Sequence, residues 1–302
     1  MVIIYHFMAF LVLNLPRRFV LFLVQGVARI YYWTTPAKRH RVQANLKTVL
    51  GNDGTSRKKI ERLTKEVYLN FGRYLYEFFF IPKVDKTFLE RHLQVEGLEH
   101  LDSAFKKGKG VISLTGHIGN WELGGIFTAL LGYPISAIAL SHKSTALNRF
   151  FLRRRQMKGI KVIPLGAQTR KIISSLKRNE LVALLGDRPF GPPYIKPNFF
   201  GQPALLPAGP AQIAVKMDSP LIPGFLIRQG EKYLLSFYPA LEHNRALEHQ
   251  QAVEDLAQRS IPYLEKYIRK YPSQWLVFDY VWNNGVSHPL KNYHEENLAF
   301  RK

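Results

Sequence analysis

Short apolar runs alternate with segments of helical periodicity along most of the chain after about residue 95. The apolar runs, which are typical of buried strands, lie at 111–114, 135–140, 161–164, 181–185, 221–227 and 233–238. The segments with helical spacing of apolar residues lie between or after them, at 121–131, 146–158, 169–178, 209–217 and 247–271. This alternation predicts an α/β fold with a mostly parallel mixed sheet flanked by helices.

The N-terminus is unusually apolar. Residues 1–14 and 19–33 form two apolar stretches, separated by Pro16-Arg17-Arg18. A bilayer-spanning helix needs about 20 apolar residues, so neither stretch is typical of one. The pattern favours an apolar, amphipathic helical segment at a membrane surface, as an interfacial helix or a shallow hairpin. A buried core helix and a spanning helix are the alternatives. The basic residues expected to meet anionic headgroups are Arg17, Arg18, Arg29, Lys38, Arg39 and Arg41.

A long amphipathic helix is predicted at 57–80, just before Pro82. Its last turns carry an aromatic cluster that serves either as core or as the floor of an acyl-chain groove, formed by Tyr74, Tyr76, Phe78, Phe79 and Phe80. The chain then divides into a membrane-associating helical segment at 1–50, a helical lead-in at 51–94, an α/β domain at 95–285 and a polar tail at 286–302.

The most informative stretch joins the predicted strand at 111–114 to the helix that follows it. In the sequence Gly-His117-Ile-Gly-Asn-Trp-Glu122, a histidine follows the strand, and a glutamate follows the histidine by five positions. Open α/β sheets place their chemistry at strand ends of this kind. On one continuous helix, positions five apart differ by about 140°. The two side chains therefore meet only if His117 lies in the loop and Glu122 in the first helical turn.

These residue types suit acid–base chemistry. Glu122 would accept a hydrogen bond from one imidazole nitrogen of His117, leaving the other nitrogen to take a proton from a substrate hydroxyl. Gly119 and Asn120 stand at the start of the predicted helix, where exposed N–H groups would hold an oxyanion or a phosphate. A local His–Glu hydrogen bond of structural value only is the alternative.

A basic patch lies on the predicted helix at 146–158. It contains Arg153-Arg154-Arg155, and arginine forks suit phosphate oxygens. Three consecutive side chains point in different directions around a helix, so at most two of them reach a common site. A solvated basic face is the alternative for most of these charges.

Asp187-Arg188 follows the predicted strand at 181–185, and a loop rich in glycine and proline comes next. This pair lies at the sheet edge that is expected to carry the site. Asp187 would supplement Glu122 or position substrate, and a simple Asp–Arg salt bridge that holds the loop is the alternative.

Charge and composition limit the partners. The 302 residues include 43 Lys and Arg against 22 Asp and Glu, a net charge of +21. This balance suits nucleic acid, an anionic membrane or an acidic protein or substrate. No zinc-finger, helix-turn-helix or RNA-binding signature accompanies it. There is no cysteine, which excludes disulfides, thiolate metal sites and cysteine nucleophiles. The zinc-protease HExxH pattern, the P-loop and the GxSxG nucleophile elbow are also absent.

Taken together, these motifs resemble the bacterial lipid A biosynthesis lauroyl/myristoyl acyltransferase family. HIGNWE, with its H-x4-E spacing, is similar to the signature of glycerolipid-type acyltransferases. Other features agree in order with the family: the apolar, basic N-terminus, Asn45-Leu46, the arginine-rich helix, DRPFG, FFGQPALLPAGPA and Pro272-Ser-Gln-Trp275. The resemblance covers most of the chain and is specific for a family rather than for a substrate.

The resemblance implies an enzyme on the cytoplasmic face of the bacterial inner membrane, peripheral or held by a single N-terminal anchor. It would transfer a fatty acyl chain from acyl carrier protein or acyl-CoA to a hydroxyl of a phosphorylated glycolipid, with a lipid A precursor as the leading acceptor. Related members acylate phosphatidylinositol mannosides, and these motifs do not exclude such acceptors. A thioester is already activated, so no cofactor or metal is expected.

Carried over residue by residue, the resemblance assigns His117 as the general base and Glu122 as its orienting carboxylate. Arg155 is the best match for an arginine that contacts phosphate or assists the site, and Arg154 is its neighbouring alternative. Asp187 and Arg188 match a further block near the site.

Two other interpretations compete. A non-catalytic basic protein that binds lipid would keep the fold but has less need of both His117 and Glu122. A nucleic-acid binder is supported by charge alone and is disfavoured by the apolar N-terminus. The expected partners are therefore an acyl donor, a phosphorylated glycolipid and an anionic membrane surface, and not nucleic acid.

Overall fold

The computed structural model describes residues 2–51, 56–139, 144–164, 168–189 and 192–282. The chain opens with the helices α1 (Val2–Asn14), α2 (Arg17–Thr34), α3 (Pro36–Leu50) and α4 (Arg57–Phe80). Proline marks two of their boundaries, since Pro16 precedes α2 and Pro36 begins α3, where a missing N–H is tolerated. The predicted polar tail at 286–302, residue 140 of one predicted strand and the Phe-Gly of DRPFG lie outside the described residues.

In the rest of the described chain, strands and helices alternate. The helices are α5 (Lys86–His92), α6 (Leu98–Phe105), α7 (Trp121–Leu130), α8 (Thr145–Gln156), α9 (Gln168–Lys177), α10 (Gly209–Met217) and α11 (His249–Lys270). The strands are β1 (Leu93–Glu96), β2 (Val111–Thr115), β3 (Ile135–Ala139), β4 (Lys161–Pro164), β5 (Leu181–Leu185), β6 (Tyr194–Ile195), β7 (Asn198–Phe199), β8 (Gln202–Pro203), β9 (Leu206–Pro207), β10 (Leu221–Gln229) and β11 (Lys232–Phe237). Short 3-10 turns at Ile81–Lys83 and Pro272–Gln274 follow α4 and α11.

The main sheet contains seven strands within the described residues, in the order β1-β11-β10-β2-β5-β3-β4. The β10–β11 pair is antiparallel, and the other neighbouring strands of this sheet are parallel. The predicted mostly parallel mixed sheet is therefore confirmed. The sequence pattern does not predict β1, because its residues alternate between half-buried and exposed and form no continuous apolar run.

Helices cover both faces of this sheet. One face packs against α9, α10 and α11 through a core that includes Ile112 and Leu256. The other face packs against α4, α7 and α8 through a core that includes Phe79 and Phe127. A strand covered on both faces needs apolar residues at consecutive positions, which explains why β5 is a continuous apolar run in the sequence. Since Phe78 and Phe79 are fully or nearly fully buried, this part of the aromatic cluster serves as core.

One side of α2 packs along α4. Val24 and Ala28 lie against Gly72, where an added Cβ would be 3.1 Å and 3.2 Å from their side chains, so the glycine allows close approach of the two helices. Val20 and Tyr32 are buried on the same side of α2. One side of α2 is therefore buried, as expected for the core helix that was one alternative for the apolar N-terminus.

The opposite side of α2 is apolar and exposed, and so is much of α1. We call this the N-terminal apolar surface, which consists of Ile3, Ile4, Phe7, Phe10, Phe19, Phe22, Leu23, Val27, Ile30 and Trp33. Along α2 these residues recur every three to four positions, so they form one continuous stripe. In the described residues, none of the helices is both long enough and apolar enough to cross a membrane.

Candidate active site

His117 lies in the short loop between β2 and α7, at the carboxyl end of the central strand of the sheet. Because β2 ends at Thr115 and α7 begins at Trp121, the histidine is outside the helix. Its carbonyl oxygen accepts a hydrogen bond of 2.7 Å from the N–H of Leu276. The loop is thereby fastened to the segment that follows α11.

Asp187 lies beside His117 at the same edge of the sheet. Neighbouring strands β2 and β5 are parallel, in a register that pairs Thr115 with Leu185. Each of the two side chains stands two residues beyond the end of its strand, so the same register brings them together. Nδ1 of His117 is 2.8 Å from Oδ1 of Asp187. Gly116 permits this approach, since a Cβ there would lie 3.1 Å from the carboxyl carbon.

The carboxylate of Asp187 is completely buried and accepts three hydrogen bonds. The donors are Nδ1 of His117, the backbone N–H of His117 at 2.7 Å and the indole N–H of Trp275 at 2.8 Å. Burial raises the pKa of Asp187, but the charge of His117 and these hydrogen bonds outweigh it and hold the pKa below its usual value. Asp187 is therefore an ionised, fixed acceptor.

His117 is the complementary member of this pair. Burial lowers the pKa of its imidazole, and Asp187 opposes this effect by charge and hydrogen bonding while nearby Arg188 adds to it, leaving a pKa below the usual value. A neutral ring that donates from Nδ1 has its lone pair on Nε2. Within the described residues Nε2 makes no hydrogen bond, and the ring of Trp121 packs edge-on against the imidazole with the ring centroids 4.9 Å apart.

The predicted hydrogen bond between His117 and Glu122 is not found in the described residues. Glu122 does lie in the first turn of α7, but its carboxylate faces α8, where Nε and Nη2 of Arg155 donate to it at 2.7 Å and 2.5 Å. A bidentate ion pair satisfies both carboxylate oxygens, whereas a neutral imidazole would satisfy one. Burial lowers the pKa of Arg155, but the charge and hydrogen bonds of Glu122 raise it above the usual value.

Gly119 and Asn120 use their backbone N–H groups inside the protein, which differs from the predicted anion-binding role. The N–H of Gly119 donates to the carbonyl of Gln274 at 2.9 Å, and the N–H of Asn120 donates to the carbonyl of Leu226 at 3.3 Å. The φ angle of Gly119 is +63°, and a Cβ there would lie 1.8 Å from the Leu226 oxygen. This position requires glycine because the loop touches β10.

The side chain of Asn120 fixes the start of α7. It accepts a hydrogen bond of 3.0 Å from the N–H of Leu123 and donates one of 2.8 Å to Oε2 of Glu77. Glu77 is buried in α4, where it also accepts from the hydroxyl of Tyr233 at 2.8 Å and pairs with Arg73 at 3.3 Å. The network joins α4, α7 and β11 beneath the loop that carries His117.

The three consecutive arginines of α8 point in different directions, as predicted. Arg153 is exposed. Arg154 is buried, donates to the carbonyl of Phe79 and lies with its guanidinium 4.8 Å from the ring centroid of Phe150. Arg155 is bound to Glu122. A contact of Arg154 or Arg155 with substrate phosphate remains a prediction.

Arg188 and Asp187 do not form the simple salt bridge that was one alternative. Asp187 faces His117 and Trp275, whereas Nη1 of Arg188 donates to Oδ2 of Asp279 at 2.9 Å. Nη1 of Arg41, in α3, donates to Oδ1 of the same carboxylate at 3.2 Å. Arg41 of the N-terminal segment therefore lies close to the sheet edge that carries His117 and Asp187.

Sequence reasoning assigns Asp187 to the correct sheet edge but does not pair it with His117. The missing information is strand order, because β3 and β4 separate β2 from β5 along the chain. A usable signal exists, since each residue follows a glycine that lies within two residues of the end of a predicted strand. Trp275 belongs to the Pro272-Ser-Gln-Trp275 segment that resembles the family, but the sequence does not pair it with Asp187. Glu77 carries no comparable signal and is found only through its hydrogen bond with Asn120.

The His117–Asp187 pair is suited to proton transfer. A neutral imidazole with an available Nε2 accepts a proton from a hydroxyl, and a buried carboxylate on Nδ1 stabilises the imidazolium that forms. A hydroxyl that loses its proton in this way becomes a nucleophile.

Comparison with known proteins shows the family to which the chain belongs. Residues 1–284 match the sequence model of the family described as bacterial lipid A biosynthesis acyltransferase. A phosphatidylinositol mannoside acyltransferase of Mycobacterium tuberculosis is 28% identical over 224 residues, which cover 72% of this chain and 69% of that protein. A lipid A biosynthesis acyltransferase of Haemophilus influenzae is 24% identical over 201 residues, which cover 65% of this chain and 59% of that protein.

The family match includes every candidate site residue discussed above, from Arg41 to Asp279. Both relatives are named for acyl transfer to glycolipids. This protein is therefore a glycolipid acyltransferase, and the chain belongs to the bacterial lipid A biosynthesis acyltransferase family.

Proposed function

We propose that the protein transfers a fatty acyl chain from a thioester of acyl carrier protein or CoA to a hydroxyl of a phosphorylated glycolipid, with His117 as the general base. The observation that carries the proposal is the hydrogen bond of 2.8 Å between His117 and Asp187, which leaves Nε2 available for substrate. In this proposal Asp187 takes the orienting role that the resemblance assigns to Glu122.

The proposed reaction is direct transfer. Nε2 of His117 takes the hydroxyl proton while the hydroxyl oxygen attacks the thioester carbonyl carbon, which gives a tetrahedral oxyanion. The intermediate collapses by breaking the carbon–sulfur bond, and the imidazolium returns the proton to the leaving thiolate. The products are an ester and a free thiol. Positioned general-base catalysis of this kind contributes about 10²–10⁴-fold to the rate.

The second part of the proposal is peripheral binding to the cytoplasmic face of the bacterial inner membrane. The N-terminal apolar surface supports this, because a stripe of phenylalanine, isoleucine and tryptophan facing solvent costs free energy unless something covers it. Basic residues on both sides of α2, among them Arg18 in its first turn and Lys38 in the first turn of α3, are exposed and suit anionic headgroups. A lipid bilayer is therefore the occupant that fits both the apolar stripe and its charged margins.

The net charge of +21 is consistent with anionic substrates and an acidic carrier protein. Acyl carrier protein, CoA and a lipid phosphate are all anionic, and a basic surface steers such partners toward it in a salt-dependent way. Both donors therefore belong in the assay.

Two acceptors deserve parallel tests. A lipid A precursor is the first, because the family that matches residues 1–284 is described by lipid A biosynthesis. A phosphatidylinositol mannoside is the second, because the mycobacterial relative named for that acceptor is 28% identical, against 24% for the Haemophilus lipid A enzyme. Both are phosphorylated glycolipids with free hydroxyls.

The decisive experiment is acyl transfer by purified wild type and His117→Ala, with carrier-protein and CoA thioesters offered to each acceptor and the products identified by mass. We expect an acylated lipid with wild type only, because the variant lacks the base. Both proteins should sediment equally with anionic vesicles. If neither protein transfers an acyl chain to any acceptor while both bind the vesicles, non-catalytic lipid binding replaces the proposal.

A further inference from the structure

We propose that Arg41 and Arg188 form a subsite for a phosphate ester of the acceptor lipid, with the carboxylate of Asp279 as an internal competitor for the same two guanidinium groups. This inference rests on the proposed function and adds a location for the acceptor's phosphate. It differs from the sequence expectation, which gave that role to the arginines of α8.

The geometry resembles the binding of an oxyanion between two cations. Oδ1 of Asp279 accepts from Arg41 at 3.2 Å and Oδ2 accepts from Arg188 at 2.9 Å, so each oxygen has its own arginine. Phosphate oxygens take the same kind of charge-assisted hydrogen bond from guanidinium groups. The three side chains together carry an excess positive charge, because one carboxylate faces two arginines.

The cluster is partly exposed to solvent, in contrast to the nearly buried Glu122–Arg155 pair. The side chains of Arg188, Arg41 and Asp279 are 24%, 32% and 46% exposed. A ligand can therefore reach these groups without disturbing the core. The exposure of Asp279 also means that its carboxylate can move aside at small cost, since an exposed ion pair contributes little free energy.

The backbone around Asp279 is held firmly even though its side chain is exposed. The buried side chain of Asn45 donates to the carbonyl of Asp279 at 2.7 Å and accepts from the N–H of Val281 at 3.2 Å. This places the segment from 279 to 281 against α3, the helix that carries Arg41. Removing the charge of Asp279 should therefore leave the fold in place.

The cluster lies between the reacting group and the membrane-facing helices. Arg188 directly follows Asp187, and Asp279 is three residues beyond Leu276, whose N–H binds the carbonyl of His117. Three residues of extended chain reach at most about 10 Å. On the other side, α3 starts two residues after the end of α2, whose last turn carries the exposed Trp33. An acceptor lying in the bilayer would therefore meet these arginines near His117.

The test measures phosphate binding separately from acyl transfer. Monomeric dihexanoyl phosphatidic acid is titrated by calorimetry into wild type, Arg41→Ala, Arg188→Ala and Asp279→Asn. Loss of one arginine should weaken binding about tenfold or more, because a hydrogen bond to a charged group is removed. Asp279→Asn should tighten binding about threefold or more, because the competing charge is gone. The matched control is Arg57→Ala, which removes one exposed positive charge at the start of α4 and should leave the affinity unchanged.

Opposite effects of the arginine and aspartate variants distinguish a subsite from a structural salt bridge. If all three variants lower thermal stability and none changes the affinity, the cluster is structural and the inference is wrong. A second titration uses 4′-phosphopantetheine, the phosphate-bearing part of both acyl donors. An arginine dependence confined to that probe would assign the phosphate to the donor and would also overturn the inference.

The control for the proposed function is His117→Ala in the same titrations. It should bind phosphatidic acid like wild type although it does not transfer acyl chains. Transfer by His117→Ala would contradict the proposed base and leave the phosphate subsite standing. Loss of transfer together with arginine-independent probe binding would contradict only the subsite.

Discussion

Nδ1 of His117 lies 2.8 Å from Oδ1 of Asp187 because two parallel strands end side by side. Each residue follows its strand by the same short step, and glycine before His117 leaves room for the carboxylate. The pair therefore depends on the register of β2 and β5. Trp275 completes it by donating its indole N–H to the carboxylate from the segment after α11.

Asp187→Asn should abolish most of the transfer activity. An amide group facing Nδ1 favours the imidazole tautomer with its proton on Nε2, which cannot accept the hydroxyl proton. Replacement of the corresponding carboxylate in a hydrolase triad costs about 10⁴-fold in kcat, and we expect a loss of similar order. Steady-state kinetics measures it. A kcat within a factor of about ten of wild type would contradict the orienting role of Asp187.

The pH dependence of transfer should have its acid limb below the usual histidine range. His117 must be neutral to act as a base, and its pKa is lowered from 6.5 by burial, with Asp187 only partly offsetting this effect. The reactive form therefore predominates at neutral pH and is lost as the pH falls through the lowered pKa. Plots of kcat/KM against pH measure the midpoint. A midpoint above 6.5 would show that burial does not dominate at His117.

Substitutions of Glu122 and Arg155 should have non-additive effects on the free energy of unfolding. They should not move the midpoint of the acid limb in the pH profile of activity. Both side chains are 11% exposed, so removing either one leaves a nearly buried charge without its partner. Each single change to alanine should cost about 3–5 kcal/mol in the free energy of unfolding. The double variant should cost less than the two single costs together. Urea unfolding of the four proteins measures the coupling, and additive costs would contradict a direct interaction.

The N-terminal apolar surface should be needed for vesicle binding. Phe22 and Trp33 are 69% and 68% exposed, so Phe22→Ser with Trp33→Ser removes apolar area without opening the core. Burial of each side chain in lipid is worth about 1.5–3 kcal/mol, so sedimentation with anionic vesicles should fall by tenfold or more. Met157→Ser, which changes an exposed apolar residue at the end of α8, is the matched control.

These point changes are a better test than deletion of residues 1–33. A deletion would also remove the side of α2 that covers Gly72 and neighbouring residues of α4. Loss of vesicle binding by the shortened chain would then have two causes. Unchanged sedimentation of the double serine variant, with an unchanged Tm, would contradict membrane binding through this surface.

The helices and strands that depend on short-range patterns of apolar and polar residues are predictable from the sequence. The runs at 161–164 and 181–185 coincide with β4 and β5, and the periodic stretch at 57–80 coincides with α4. Burial of a strand on both faces or of a helix on one face imposes a short-range pattern, and that pattern is readable along the chain. The same reasoning locates His117 in a loop at a strand end.

Which of these residues contact one another depends on the packing of the whole fold. Glu122 is five positions from His117, yet it binds Arg155 in α8, while Asp187, far along the chain, binds the imidazole. The choice depends on strand order and on which side of α7 faces α8. These relations arise from long-range packing of apolar faces, and a local sequence pattern carries no record of them. The hydrogen-bond partner of His117 is the carboxylate that lies nearest to it in the folded protein. Asp187 comes near only when β2 and β5 pair in the sheet.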